Sequence, residues 1–288
     1  MPELPEVITT INYIYPYIIN KKIKDIWFDK KTKIENLTNK SMSQLKNKCI
    51  TDIYNIGKYI LFNIGSELTL IIHQKLSGHL LFSKFKIDQT TWKSPETNSP
   101  INDPNNRFIR FALKFNNQWL ALSDSRRLAR ITLTNTKNIQ KIKPINQMGI
   151  NPLSNNWKYD LFKQKLKTHS IEIKKALLSQ NIISGLGNIY SDEVLFKSKI
   201  KPTRKIPTLS EKELKQLFKY IPLILTKAIK NKGTTFNTYR NPDGNSGKFI
   251  NYLNVYQRKN KNCKICNNKI ESIKINGRTS YFCNHCQK

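Results

Sequence analysis

Two Cys-x2-Cys pairs near the C-terminus constrain the fold of this 288-residue chain more than any other feature. Each pair directs two sulfurs inward from a tight turn, and two such pairs supply the four tetrahedral ligands of one Zn²⁺ ion. A redox-active Cys-x2-Cys motif would occur singly, near a βαβ unit. The sequence therefore predicts one structural zinc site. Its ligands are Cys263, Cys266, Cys283 and Cys286.

The residues between the two pairs predict a β-hairpin. The stretch KIESIKINGRTSYF alternates apolar and polar residues around Asn276-Gly277, which is a strong turn signal. The hairpin places Arg278 in solvent beside the turn, where its guanidinium can contact a groove or a phosphate. We therefore expect a zinc-clamped hairpin over residues 251–288.

Charge and hydropathy indicate the class of partner. The formal net charge is +31, and 38% of the residues are hydrophobic. A chain this basic favours a polyanion such as nucleic acid. No apolar run is long enough to span a membrane, and glutamates and prolines near residue 1 argue against a secretory signal. We expect a cytoplasmic protein in which Cys49 is a small core residue.

The pattern of apolar residues divides the chain into a β-rich part and a helical part. Residues 7–20 predict a helix that breaks or kinks at Pro16. From 22 to 134 short β-rich runs predict a sandwich or barrel, interrupted by a long polar loop over 84–106. The predicted strands are Ile23–Phe28, Tyr59–Ile64, Leu68–His73, His79–Phe82, Phe108–Phe115, Trp119–Leu122 and Ile131–Leu133.

After a linker over 135–152, a helical period replaces the alternation. The predicted helices are 157–167, 171–180, 188–197 and 210–231, and a short helix can follow Thr235. Residues 236–250 predict a mobile loop rich in Asn, Gly and Pro. In GLGN the glycines permit a tight turn, and the helix that starts at Asn188 offers free amides to a phosphate. The alternative is an ordinary helix–turn–helix corner in which Asn188 is the N-cap.

The opening MPELPEV carries two prolines and two glutamates. Pro5 and Glu6 suit the first turn of a helix. Pro2 and Glu3 have no such explanation.

MPELPEV, the central stretch IKKALLSQNIISGLGNIYSDEVLF and the terminal zinc module together resemble formamidopyrimidine-DNA glycosylase, in the right order and over the whole chain. The resemblance implies an α+β multidomain fold: an N-terminal helix plus β-sandwich, a helix-two-turns-helix domain and a C-terminal zinc-finger β-hairpin. On this basis the domains are 1–134, the linker 135–152, 153–250 and 251–288.

The resemblance implies a bifunctional glycosylase and abasic-site lyase of base excision repair. Such an enzyme flips out 8-oxoguanine and formamidopyrimidines, excises the base through a Schiff base and cleaves the strand by β,δ-elimination. Its partner is double-stranded DNA containing oxidised bases or abasic sites. We expect a monomer with one structural Zn²⁺, associated with the nucleoid in the cytoplasm and not with a membrane.

The resemblance also assigns catalytic residues. Removal of Met1 would free the secondary amine of Pro2 as the nucleophile. Glu3 would be the adjacent acid, Glu6 would hold the N-terminus, and Lys58 would act near the lesion and its phosphate.

The DNA contacts implied by the resemblance involve His73, Arg126, Asn188 and Arg278. The side chains that fill the vacated base stack would be Leu76, Arg126 and Leu128. Leu76 lies in HQKLSG where HLGMSG is usual, and Leu128 replaces the usual Phe. We therefore expect weaker interrogation of the lesion or an altered preference for the opposite base.

The lesion-recognition loop implied by the resemblance spans 234–249. Its recognition residues would be Thr234, Thr235, Tyr239, Gly247 and Lys248.

Two alternatives remain open at this point. One is a glycosylase for oxidised pyrimidines, which Leu4 and the 234–249 loop disfavour. The other is a zinc-finger DNA-binding protein without catalysis, which would not need Pro2 or Glu3.

Overall fold

The chain forms two compact units. The first comprises Met1–Asn146 and Asn231–Ile250, and the second comprises Gln147–Lys230 and Asn251–Lys288. The domain boundaries given above stay a prediction. The computed structural model describes residues 2–29, 31–32, 34–35, 44–88 and 91–288.

The first helix, α1, spans Leu4–Ile18 and begins earlier than predicted. Glu3 and Glu6 form a capping box that satisfies free amides at the N-terminus, and Pro5 lies where a missing N–H costs little. Of the predicted break or kink at Pro16, the break is absent, and the helix continues through this residue. Since Pro16 lies in the last turn, it removes little of the hydrogen-bond ladder.

Among the described residues of the first unit, eleven strands form two main sheets and a small hairpin. The strands are Asp25–Phe28 (β1), Ile34–Glu35 (β2), Ile50–Ile56 (β3), Tyr59–Ile64 (β4), Leu68–His73 (β5), His79–Ser83 (β6), Lys86–Asp88 (β7), Thr91–Lys93 (β8), Ile109–Phe115 (β9), Gln118–Ser123 (β10) and Arg130–Asn135 (β11). One sheet has the order β1-β9-β10-β6, and the other has the order β2-β11-β5-β4-β3. Apolar side chains of both sheets and α1 share one core, which confirms the helix plus sandwich.

The segment 84–106 is not the plain loop that its polar composition predicts. It contains the β7–β8 hairpin and two short 3₁₀ turns. Trp92 is buried in it, with its ring centroid 5.0 Å from that of Trp27 and 5.1 Å from that of Trp119. The burial of one large aromatic ring orders a segment whose other residues are mostly polar.

The linker predicted over 135–152 also has structure. A 3₁₀ turn at Thr136–Lys141 precedes a short helix, α2, at Lys143–Asn146. Their buried residues Ile139 and Ile145 pack in one cluster with side chains of β4 and β5. The segment therefore covers one face of the five-stranded sheet.

Three further expectations were incomplete or wrong. Strand β3, with the sequence ITDIYNI, was not predicted. Cys49 is half-buried, because it lies in an isolated bridge ahead of β3 and not in the core. No helix begins directly after Thr235, where the chain forms a series of bends.

The second unit combines helices with the predicted hairpin. Asn276 and Gly277 form the turn of that hairpin, both with positive φ, as expected. No helix in the described part of the chain is long and apolar enough to cross a bilayer. Helices and strands of this unit are Tyr159–Lys167 (α3), Ile173–Leu178 (α4), Asn188–Lys197 (α5), Glu211–Lys230 (α6), Glu271–Ile275 (β12) and Arg278–Phe282 (β13).

Gln74 is an exception to the apolar packing of the first unit. It lies just after β5, is buried, and neither its amide nitrogen nor its amide oxygen has a hydrogen-bond partner among the described residues. A buried polar group without a partner costs about 1–3 kcal/mol.

Replacing Gln74 with Leu should therefore raise the free energy of unfolding by about 1–3 kcal/mol, because the desolvation penalty disappears. Chemical denaturation of Gln74→Leu against the parent measures this, with half-buried Gln118→Leu on β10 as the control. An unchanged or lower stability for Gln74→Leu would contradict it.

Candidate active site and nucleic-acid interface

The N-terminal residues form a buried cluster. Pro2, Glu3 and Glu6 are all buried, and the backbone N–H of Glu3 donates to Glu6 Oε2 at 2.7 Å. The capping box thus fixes the start of the chain as well as the start of α1. Met1 lies outside the described residues, so its removal stays a prediction.

Glu6 also contacts the loop predicted to recognise the lesion. Its second carboxylate oxygen, Oε1, accepts the N–H of Thr234 at 2.8 Å, and its carbonyl oxygen accepts the hydroxyl of Tyr239 at 3.3 Å. Gly233 permits this approach: its φ is +75°, and a Cβ there would lie 2.7 Å from Glu6 Oε1. Burial, followed by the charge of Glu6, raises the pKa of Tyr239 and keeps it a neutral donor.

The loop is extensively hydrogen-bonded within itself. Thr234 and Lys248 form an isolated antiparallel bridge. The hydroxyl of Thr235 donates to the carbonyl of Tyr239 at 3.0 Å and accepts the N–H of Gly247 at 2.9 Å. Of the five predicted recognition residues, Lys248 is exposed, whereas Thr234, Thr235, Tyr239 and Gly247 are buried. The loop therefore has a defined shape without regular secondary structure.

Lys58 and His73 lie at one end of the five-stranded sheet. The β4–β5 register pairs Tyr59 with His73, which places buried Lys58 next to that pair. The backbone N–H of Lys75 donates to His73 Nδ1 at 3.0 Å. Burial, then the charges of Lys75 and Lys58, lower the pKa of His73 to about 3. His73 is therefore neutral at physiological pH, with its proton on Nε2.

The three predicted void-filling side chains lie on two connections of the sandwich. Leu76 follows β5 and is 47% exposed, whereas Leu128 and Arg126 follow β10. Leu128 is 43% exposed, and Arg126 is also exposed. Leucines this exposed are available for insertion between bases.

Asp124, which the sequence analysis did not single out, joins these two connections. Its carboxylate is buried and accepts the hydroxyl of Ser77. It also accepts the backbone N–H of Arg126 at 3.1 Å and of Ala129 at 2.7 Å. The signal in the sequence was SDS, in which an aspartate precedes a turn and can bond its own backbone.

The second unit places Asn188 beside the zinc hairpin. Asn188 is the first residue of α5, and Gly187 is the N-cap, so the alternative with Asn188 as N-cap is wrong. Its side-chain N–H donates to the carbonyl of Thr279 at 2.8 Å. Arg278, next in the chain to Thr279, is exposed as predicted.

A buried ion pair fixes that arrangement and was not foreseen from the sequence. Lys174 Nζ lies 2.6 Å from Asp192 Oδ1, and both side chains are fully buried. Asp192 also accepts the hydroxyl of Ser280 at 2.6 Å and the N–H of Tyr281 at 3.0 Å, both on β13. Burial raises the pKa of Asp192 to about 6 despite Lys174. One carboxylate thus holds α4, α5 and the hairpin together.

The four cysteines of the two Cys-x2-Cys pairs converge as predicted. Their sulfurs all lie within 4.8 Å of one another. The distances are 3.9 Å from Cys263 Sγ to Cys286 Sγ and 3.4 Å from Cys266 Sγ to Cys283 Sγ. Tetrahedral coordination with Zn–S bonds of about 2.3 Å separates sulfurs by about 3.8 Å, so the group fits one Zn²⁺. His285 is exposed and is not among these ligands.

Three family models match: the formamidopyrimidine-DNA glycosylase N-terminal domain over residues 1–131, the formamidopyrimidine-DNA glycosylase H2TH domain over 148–240, and the zinc finger found in FPG and IleRS over 260–288. The third match and the cysteine geometry confirm the predicted structural zinc site.

Individual relatives match over their whole length. The formamidopyrimidine-DNA glycosylase of Mycoplasma genitalium is 34% identical over 100% of this chain and 96% of its own. That of Lactobacillus delbrueckii is 33% identical over 100% of both chains.

Among solved structures, the Lactococcus lactis Fpg in complex with DNA containing an abasic site superposes with a TM-score of 0.85. It is 31% identical and covers 99% of each chain. These matches confirm the predicted resemblance, and the chain belongs to the formamidopyrimidine-DNA glycosylase family.

Proposed function

We infer that this protein is a bifunctional DNA glycosylase and abasic-site lyase of base excision repair, acting on oxidised purines. The observation that carries the inference is the buried N-terminal cluster. Glu6 hydrogen-bonds the backbone next to Pro2 through one oxygen and the recognition loop through the other. Such an arrangement serves an enzyme that reads a base and attacks its sugar.

The proposed reaction starts with the secondary amine of Pro2 after removal of Met1. The amine attacks C1′ of the damaged nucleoside, and the bond between C1′ and the base breaks. Opening of the sugar ring then yields an iminium ion, because a secondary amine cannot form a neutral imine. This cation acidifies the 2′ proton. Loss of that proton expels the 3′ phosphate, and a second elimination expels the 5′ phosphate.

Glu3 and Lys58 complete the proposed chemistry. Glu3, adjacent to the nucleophile, would protonate the ring oxygen and then move protons during the eliminations. Lys58 would contact the lesion and its phosphate, since its ammonium stabilises developing negative charge. Glu6, already committed to two backbone amides, would position the amine of Pro2 and not exchange protons itself.

The proposed grip on DNA uses donors in both units. His73, held neutral, would offer Nε2–H to a phosphate. Asn188 and Arg278 would hold the backbone around the flipped nucleotide, and the +31 net charge attracts the duplex at long range. Leu76, Arg126 and Leu128 would fill the gap in the base stack.

The proposed substrate is an oxidised purine in double-stranded DNA, or an abasic site left by its loss. Thr234, Thr235, Tyr239, Gly247 and Lys248 would form the loop that closes over the flipped base. A mutant of the Lactococcus lactis Fpg has been crystallised with DNA containing Fapy-dG, and the wild-type protein has been crystallised with DNA containing an oxidised pyrimidine. We propose that this chain works as a monomer in the cytoplasm, at the nucleoid.

Borohydride trapping on a duplex with one abasic site tests the proposed function. Reduction of the iminium should link the protein covalently to DNA, and the adduct should vanish in Pro2→Gly and in a form that retains Met1. Excision of 8-oxoguanine faster than thymine glycol should accompany it. No adduct with the parent protein would favour a DNA-binding protein without catalysis, and the reverse lesion preference would favour a pyrimidine enzyme.

The lowered pKa of His73 predicts a pH dependence of stability. The unfolded chain binds a proton at His73 near pH 6.5, whereas the folded protein binds it only near pH 3. Stability therefore falls as pH drops below about 6.5, by up to about 1.4 kcal/mol per pH unit. Denaturation of His73→Gln at several pH values should show a shallower loss. His169→Gln in the second unit is the control, and parallel curves for His73→Gln and the parent would contradict the assignment.

Leu128 is expected to discriminate between bases opposite the lesion less well than an aromatic side chain would. Leu128→Phe should restore base stacking worth about 1–3 kcal/mol and sharpen discrimination between cytosine and adenine opposite 8-oxoguanine. Single-turnover excision from both duplexes measures this. Equal ratios for Leu128→Phe and the parent would refute the role.

A further inference from the structure

The 3₁₀ turns of the 84–106 segment lie against the recognition loop, within the first unit. Arg240 donates from Nε and from its second terminal nitrogen to Asp103 Oδ2, at 3.0 Å and 2.8 Å. Its remaining terminal nitrogen donates to the carbonyls of Asn237 and Tyr239 at 2.7 Å and 2.9 Å. All three guanidinium nitrogens are thus committed, so Arg240 acts on the loop and is not available to a substrate.

Asp103 divides its two carboxylate oxygens between two tasks. Oδ1 accepts the N–H of Asn105 at 2.8 Å and caps the 3₁₀ turn, while Oδ2 accepts Arg240. Burial opposes ionisation, but the hydrogen bonds from Asn105 and Arg240 outweigh it and lower the pKa of Asp103. The pair is therefore ionised at physiological pH. Arg240 is 9% exposed, so solvent screens the pair less than a surface ion pair.

Two backbone contacts reinforce this attachment. The N–H of Phe82 donates to the carbonyl of Pro242 at 2.8 Å. A Cβ at Gly244 would lie 2.5 Å from the carbonyl carbon of Pro100, and its φ is +84°. The C-terminal part of the loop, at Pro242 and Gly244, thus packs closely against the sandwich. The N-terminal part of the loop is held by the hydrogen bond from Thr234 to Glu6.

We propose that Asp103 and Arg240 are a positioning pair that holds the recognition loop in its base-binding shape before DNA arrives. Base excision then depends on this pair, whereas cleavage at an existing abasic site does not. The proposal rests on the proposed function of the loop, and it names a determinant of substrate class. Neither residue was singled out from the sequence.

The physical reason is preorganisation. A loop that must order itself around a flipped base loses conformational entropy at that step, and this loss raises the barrier to base excision. Arg240 bridges two loop carbonyls and a fixed carboxylate, so the entropy is lost when the protein folds. An abasic site presents no base to the loop, so its cleavage requires only the amine and the acid.

The experiment combines amide hydrogen exchange with two activity measurements on the full-length zinc-loaded protein. Asp103→Asn keeps an oxygen for the turn but removes the charge, and Arg240→Gln removes the bridging guanidinium. The two are compared singly and together, with exposed Asp88→Asn on β7 as the control. We expect exchange in peptides covering 236–247 of the free protein to accelerate at least about tenfold in both single variants.

In the same variants, single-turnover excision of 8-oxoguanine should fall at least about fivefold, while cleavage of an abasic duplex stays within about twofold of the parent. The double variant should lose no more than either single variant, because the two residues act through one contact.

Unchanged exchange in 236–247 would overturn the proposal, whether or not the parent protein proves to be a glycosylase. An equal fall in excision and abasic-site cleavage would also overturn it, because that result indicates general destabilisation. Failure of the parent on both substrates with accelerated exchange in the variants would refute the proposed function and leave the positioning contact supported.

Discussion

The carboxylate of Glu6 is the constraint on which the rest of the first unit depends. A buried carboxylate without partners would be strongly destabilising, and Glu6 avoids this by accepting a backbone N–H on each oxygen. Those amides belong to Glu3 and Thr234. Thr234 lies 228 residues after Glu6 in the chain. The hydrogen bonds that stabilise this one buried carboxylate therefore join the N-terminal cluster to the predicted recognition loop.

The same kind of contact recurs elsewhere among the described residues. Asp124 joins the two connections that carry the predicted void-filling side chains, and Asp103 joins a 3₁₀ turn to the predicted recognition loop. In the second unit, Asp192 joins the hairpin to the helix that begins at Asn188. Each carboxylate fixes segments that have no regular secondary structure linking them. Hydrogen bonds to a buried carboxylate can thus fix the positions of side chains on segments that have no regular secondary structure.

The sequence predicted the parts of the molecule whose signal is local. The positions of the long helices and of most strands of the two main sheets, the Asn276-Gly277 turn and the four zinc ligands follow from spacing and periodicity over a few residues. Residues 84–106 and 135–152 were read as loop and linker because Trp92, Ile139 and Ile145 are ordered by distant partners. Ion pairs such as Asp103 with Arg240 and Lys174 with Asp192 could not be predicted from the sequence, because each joins two different segments of the chain and leaves no local pattern.

Glu6→Gln measured against the parent tests the account most directly. A glutamine offers one acceptor oxygen and presents its amide nitrogen to the second N–H, so one of the two attachments must break. The account predicts that the single-turnover rate on 8-oxoguanine falls at least about tenfold, because base excision depends on both attachments, while affinity for a non-cleavable abasic duplex changes by less than about threefold. An 8-oxoguanine rate equal to that of the parent would contradict the central role of Glu6.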